Sequence, residues 1–169
     1  MAKGGIISAI HQGSLAEELE LVPGDKIISI NEQELTDIID LSFALADEEI
    51  EMLIEHENGE QEIIAFEKDM DEELGAEFES AVFGKIRQCA NNCYFCFVDQ
   101  VAPNMRDSLY IKDDDYRLSF LYGNFVTMTN MGPRDLERIH RLHLSPLYIS
   151  VHTTNPKLRG EMLRTKRGE

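Results

Sequence analysis

At 169 residues with 43% hydrophobic side chains, the chain can bury one or two modest cores and is too apolar to be disordered throughout. No apolar run approaches the roughly 20 residues a membrane span needs, and the start, Met1-Ala2-Lys3-Gly4-Gly5, lacks the apolar stretch of a signal peptide. Both facts make a cytoplasmic protein with no membrane partner the expectation. The net charge of −16 is uneven, with 23 acids and 3 bases in residues 1–80 against 9 acids and 13 bases in residues 81–169, which points to two units. The acidic first repels nucleic acid and anionic membranes, while the mildly basic second can attract an anionic substrate or RNA.

Ile6, Ile7 and Ile10 read as a strand, Gly13-Ser14 as a turn, and Ser14 as the cap of a short helix through Leu19. Pro23-Gly24-Asp25 turns the chain into a strand with Ile27, Ile28 and Ile30, ended by Asn31-Glu32. Ile38, Leu41 and Leu45 share one helix face. Ile50, Met52 and Ile54 alternate with glutamates up to an Asn58-Gly59 hairpin, beyond which Ile63, Ile64 and Phe66 continue. This order, with Gly-Ser-x-Ala and Leu-x-Pro-Gly-Asp-x-Ile at its turns, resembles bacterial PDZ domains over residues 1–68. PDZ domains add a peptide as an extra strand at a sheet edge. With only Met1, Ala2 and Lys3 ahead of Gly4-Gly5, the strand and loop that form that groove look shortened, and a docking module for the second unit is the expectation, with a protein partner through this domain as its broader form. Residues 69–80 read as an acidic linker.

All three cysteines fall in Cys89-Ala-Asn-Asn-Cys93-Tyr-Phe-Cys96, which marks a site rather than a disulfide scaffold. Several chemistries are open to it. A zinc site needs a fourth ligand from His140, His143 or His152; a Cys93/Cys96 dithiol leaves Cys89 without a role; purely structural cysteines make the clustering accidental.

The spacing Cys-x3-Cys-x2-Cys, with Phe95 before the last cysteine, resembles that of radical S-adenosylmethionine (SAM) enzymes. The resemblance implies a 4Fe-4S cluster on Cys89, Cys93 and Cys96, whose fourth iron is left free to accept the amino and carboxylate groups of SAM. It also implies an electron donor such as a flavodoxin or ferredoxin, and reductive cleavage of the sulfonium to a radical that takes hydrogen from an unnamed substrate. Ala81 to Ile86 reads as a first barrel strand entering the cysteine loop, Phe125 to Thr129 as a second, and Leu147 to Val151 as a third. With Phe97-Val98-Asp99-Gln100 and Tyr116-Arg-Leu-Ser-Phe-Leu-Tyr-Gly-Asn-Phe125, these segments resemble a bacterial family of PDZ-containing radical SAM-like iron-sulfur proteins with a domain of unknown function.

The fold class expected is therefore α/β, a small β-rich PDZ-like domain followed by the first strand-helix units of a partial radical SAM barrel over residues 81–169. Where such enzymes carry a Gly-Gly-Glu segment that touches the SAM amino group, this chain has Thr127, Thr129 and Asn130, which offer neutral hydrogen-bonding groups. Ser150 and His152 follow as candidates to line the cofactor pocket. Asp113 to Asp115 read as a solvated loop or a cation site, with Arg106 and Arg117 as partners. Pro133 to Leu142 reads as an amphipathic helix with an exposed basic face, and Lys157 to Leu163 as a helix. A full barrel needs some 200 residues, so the expectation is a truncated barrel, a radical SAM-type enzyme when full length and no turnover from these residues alone. The alternative is a non-catalytic PDZ-like interaction protein with a zinc-binding or structural cysteine loop.

Overall fold

The computed structural model describes residues 4–168; the expectation built on Met1, Ala2 and Lys3 lies outside them. The chain divides between Lys85 and Ile86 into two compact units.

In the first unit, β1 (Gly5–Ile10), β2 (Lys26–Ile30), β3 (Gln33–Glu34), β4 (Glu49–Glu55), β5 (Gln61–Glu67) and β6 (Ala76–Phe78) form one antiparallel sheet. Its order is β5-β4-β2-β1-β6, and β3 pairs with β2. Two helices complete the unit, α1 (Leu15–Glu18) and α2 (Ile38–Ala44). Each starts where a side chain replaces a missing backbone acceptor: Ser14 Oγ accepts from Glu17 N at 3.4 Å, and Asp37 Oδ1 accepts from Ile39 N and Asp40 N at 3.0 Å. The β4–β5 hairpin turns at Asn58-Gly59, where Gly59 has φ +85° and Asn58 Oδ1 accepts from Glu60 N.

In β4 the alternation works as the sequence requires, with Ile50, Met52 and Ile54 buried and Glu49 and Glu51 exposed. They join Ile7, Leu21, Ile27, Ile30 and Leu35 in one core. Each fully buried aliphatic side chain there contributes about 1.5–3 kcal/mol of transfer free energy. The stretch read as an acidic linker is ordered in part, since Ala76–Phe78 pairs with β1 and Leu74 is buried. Nor do residues 81–86 form a strand: Val82 and Phe83 are buried within the first unit, and Val82 makes a single bridge to Asp37. This PDZ-like, β-rich first unit bears out the expected fold class.

The second unit holds α3 (Tyr116–Tyr122), β7 (Phe125–Val126), α4 (Pro133–Arg141), β8 (Tyr148–Ile149) and α5 (Pro156–Leu163). Strands β7 and β8 pair in parallel, Phe125 with Tyr148 and Val126 with Ile149, and α4 makes the crossover between them. This is the βαβ connection that a parallel pair demands. The strands are shorter than the sequence suggests because residues 127–130 and 150–152 bend away into loops. Helix α3 stands where no helix was anticipated, capped by Asp115 and ended by Gly123 at φ +77°. Among the described residues no helix is long and apolar enough to cross a membrane.

One buried acid in the first unit has a pH-dependent partner. Asp25, 1% exposed, accepts from Val22 N at 3.0 Å and lies 2.9 Å from His56 Nδ1. The hydrogen bond to Asp25, aided by Glu62, raises the His56 pKa above its ordinary value. A raised folded-state pKa gives stability that is complete below about pH 6.5 and is lost as pH rises through the folded value. The thermal midpoint of the first unit should therefore fall on going from pH 6 to pH 8, and His56→Gln should flatten that dependence in a melt followed by circular dichroism.

Candidate functional site

The cysteine loop has almost no regular structure, so its shape comes from where its backbone amides are spent. At its base the chain crosses residues 112–114: Cys89 N donates to Lys112 O at 2.7 Å, and Asp114 N donates to Arg87 O at 2.9 Å. Farther along, Asn92 N donates to Leu163 O at 3.1 Å and Tyr94 N to Met162 O at 3.4 Å, so the end of α5 clasps the loop. Leu163 is fully buried beneath that clasp. Cys96 N closes a turn onto Cys93 O at 3.3 Å.

Cys89, Cys93 and Cys96 are free, half-buried thiols that line one cavity of about 520 Å³. Burial pushes the Cys89 and Cys93 thiols up from their ordinary value. Lys112 and Asp99, 2.8 Å apart, form an ion pair beside Cys96 that holds the Asp99 carboxyl below and the Lys112 ammonium above their usual ranges, and both groups interact with the Cys96 sulfur. Phe95, Phe97, Val98, Ile111 and Phe125 supply apolar wall, and Asp113, Asp114, Asn124, Thr127, Ser150 and His152 supply the polar positions.

Of the side chains singled out in the sequence, Thr127, Ser150 and His152 thus share a cavity with the cysteines. Thr129 and Asn130 stand behind it. Thr129, 6% exposed, donates through Oγ1 to Asn91 Oδ1 at 2.9 Å, and Asn91 Nδ2 donates to Thr127 Oγ1 at 3.0 Å. Asn130 Nδ2 donates to Asp114 O at 2.9 Å, while its Oδ1 is buried with no hydrogen-bond partner among the described residues. His152 leaves the strand at φ +63° and sets its ring 5.0 Å from Phe95. Desolvation against that wall, with Arg159 beside it, lowers its pKa and favours the neutral imidazole. The rings of His140 and His143 lie 6.2 Å apart, and neither lines the cavity.

Of the acidic triplet, read as solvated loop or cation site, Asp114 and Asp115 are internal instead, and Asp113 is half-buried. Asp114 and Asp115 are 1% and 0% exposed. Asp114 Oδ1 accepts from Thr127 N at 2.5 Å and its Oδ2 from Thr127 Oγ1 at 2.6 Å, which fixes β7's end against the cavity wall. Asp115 takes a two-point contact from Arg117, Nε at 2.9 Å and Nη2 at 2.6 Å, and also accepts from Arg87 N at 3.0 Å. Burial opposes its charge, but these bonds outweigh the cost and hold its pKa below the usual carboxylate range. Arg87 in turn grips Asp135 at the start of α4, at 2.5 and 2.7 Å, and lies over the Tyr116 ring at 5.3 Å, where Arg138 also donates to the phenol oxygen at 2.8 Å. Arg138 at least is therefore no free member of a basic face. Arg159 ties the strand ends together by donating to Thr127 O, Ser150 O, Val151 O and Gly168 O.

Sequence reasoning missed Lys112 and Asn91, which carried no signal, and helix α3, whose signal was an aspartate run with Gly123 downstream, the start and stop marks of a helix; it named Asp114 only within a triplet read as solvated loop or cation site.

Among the described residues no three His, Cys, Asp or Glu side chains gather as the ligands of a single metal ion. A cubane asks for a different arrangement, one thiolate per iron at separate corners of a body several ångströms across. Three half-buried thiols spread round one cavity fit that demand, and metal binding would hold them as thiolates against the push of burial.

A family model described as a radical SAM-like domain matches residues 68–169, and another described as a PDZ domain matches residues 6–56. No curated protein matches the chain.

Asp115→Ala should take from buried Arg117 its two-point contact with that carboxylate and from Arg87 N its acceptor. The second unit should lose about 3–5 kcal/mol, read from the denaturant midpoint of unfolding.

Proposed function

Because the chain belongs to the radical SAM-like family, we propose that its second unit is an iron-sulfur site of a SAM-cleaving enzyme, with Cys89, Cys93 and Cys96 as the ligands of a 4Fe-4S cluster. One observation carries this reading: the three thiols open into the same cavity as Asp114, Thr127, Ser150 and His152. When bound, the cluster supplies the electron that cleaves the sulfonium of SAM reductively.

The chain's own residues then have definite tasks. SAM brings a sulfonium and an amino group into a cavity partly walled by aromatic and aliphatic side chains, where an acceptor for positive charge counts for more than in water. Asp114 supplies that acceptor. Thr127 uses only one lone pair on each of its oxygens, so the carboxylate keeps capacity to receive the amino group, and Thr127 prevents it from turning away. Ser150 and neutral His152 offer hydrogen bonds to the carboxylate or ribose of SAM without adding charge, while Thr129 and Asn130 act indirectly by bracing Asn91, Thr127 and Asp114. Phe95, its ring 5.0 Å from that of His152, supplies apolar wall beside the cysteines. The electron comes from a partner of flavodoxin or ferredoxin type, for which the exposed rings of Tyr94 and Phe97 offer apolar surface on the cysteine loop.

The test is anaerobic reconstitution followed by iron and sulfide analysis and electron paramagnetic resonance of the reduced protein with and without SAM. The expected outcome is about four irons per chain and a signal that changes on adding SAM. Cys93→Ala should abolish the cluster. Asp114→Asn should keep it and weaken the SAM response at least about tenfold in concentration. Stoichiometric zinc with no visible absorption, or a cluster that survives Cys93→Ala, would overturn the reading.

A further inference from the structure

PDZ domains receive peptides by adding a strand to an exposed sheet edge, and pockets for alternate side chains then set specificity. The edge of this sheet beside β1 is already taken by β6. Glu79 N donates to Ile6 O at 3.0 Å and His11 N to Gly75 O at 2.9 Å, and the register runs Ile7 to Phe78 and Ile10 to Ala76. The segment continues across to the start of α2: Ile38 N donates to Ala81 O at 2.9 Å and Phe83 N to Thr36 O at 3.0 Å. At its other end Ala16 N, in α1, donates to Leu74 O at 2.8 Å.

The side chains bind as well as the backbone. Leu74, Val82 and Phe83 are 5%, 2% and 7% exposed, and Ala76 and Phe78 pack on the core. The rings of Phe78 and Phe83 lie 5.3 Å apart over Gly5, where a Cβ would meet both at 2.6–2.7 Å and force the rings to shift. Gly75, at φ +72°, sits so close to Ser14 that a Cβ there would collide with it. Strand addition, apolar anchors and two fitted glycines make up the contact set of a bound peptide, supplied by the chain itself.

We propose that the PDZ-like unit is loaded with its own chain: residues 74–83 are its resident ligand, and an external peptide gains the edge only by displacing them. By family match these residues lie in the radical SAM-like segment, and Cys89 follows Phe83 by six positions. The domain therefore grips the leading end of the segment that carries the cysteines. A tethered ligand acts at an effective concentration on the order of mM, so a peptide of equal intrinsic affinity added in the micromolar range does not compete.

The test uses the full chain and, as probe, a fluorescent peptide with the sequence of residues 72–84, read by anisotropy. The unmodified chain should not bind it. The chain with Leu74→Glu and Phe78→Glu, whose own segment is dislodged, should bind it saturably and at least about tenfold more tightly. Equal binding by both, or none by a double variant that keeps its circular dichroism, overturns the proposal. If the double variant fails to fold, amide hydrogen exchange on the unmodified chain decides: His11, Ala16, Ile38, Glu79 and Phe83 must exchange as slowly as the amides of β2 and β4, and fast exchange at these five overturns it.

Discussion

Two neighbouring carboxylates, Asp114 and Asp115, are almost wholly removed from water, and the second unit is arranged around keeping both satisfied. Burying a charge costs several kcal/mol unless donors meet it. Asp115 meets Arg117 and the amide of Arg87, so helix α3 is tied by its first turn to the chain entering the cysteine loop. Asp114 meets the amide and hydroxyl of Thr127, which ties the same chain crossing to the end of β7. Consecutive residues point in opposite directions along extended chain, and the two acids use that to pull a helix and a strand together from either side. The cavity lies where those pulls converge.

Much of the first unit was legible because its signals are local. The Asn58-Gly59 hairpin, the β4 alternation and the Ser14 cap each need only a few adjacent residues. The Ala76–Phe78 strand was not, since an acidic stretch carries no strand pattern of its own and pairs only because β1, more than 60 positions earlier, offers an edge. Residues 81–86 misled for a related reason. Their apolar alternation is real, but it serves the first unit's core through Val82 and Phe83 rather than a barrel strand.

In the second unit the cysteine spacing and the places of Thr127, Ser150 and His152 followed from sequence, whereas the acidic triplet did not. Charged runs are usually solvated; Arg117, named beforehand as a partner, does meet Asp115, but the burial also needs donors at Arg87, Asn124 and Thr127 that no local rule connects to the run. Thr129 and Asn130 show the converse limit. A loop places alternate residues by its particular bends, so nearness in sequence to Thr127 put them behind the cavity wall rather than on it.

The clasp of the cysteine loop by Met162 and Leu163 sets an order in time. The amides of Asn92 and Tyr94 find their acceptors about 70 residues downstream, and Arg159 fixes the strand ends from the same helix. At synthesis rates of about 5–20 residues per second, the three thiols exist for several seconds before α5 emerges to shape them. During that interval they are ordinary flexible cysteines, open to oxidation and to any soft metal within reach. A group that needs the loop in its clasped shape can therefore be taken up only after α5 has emerged.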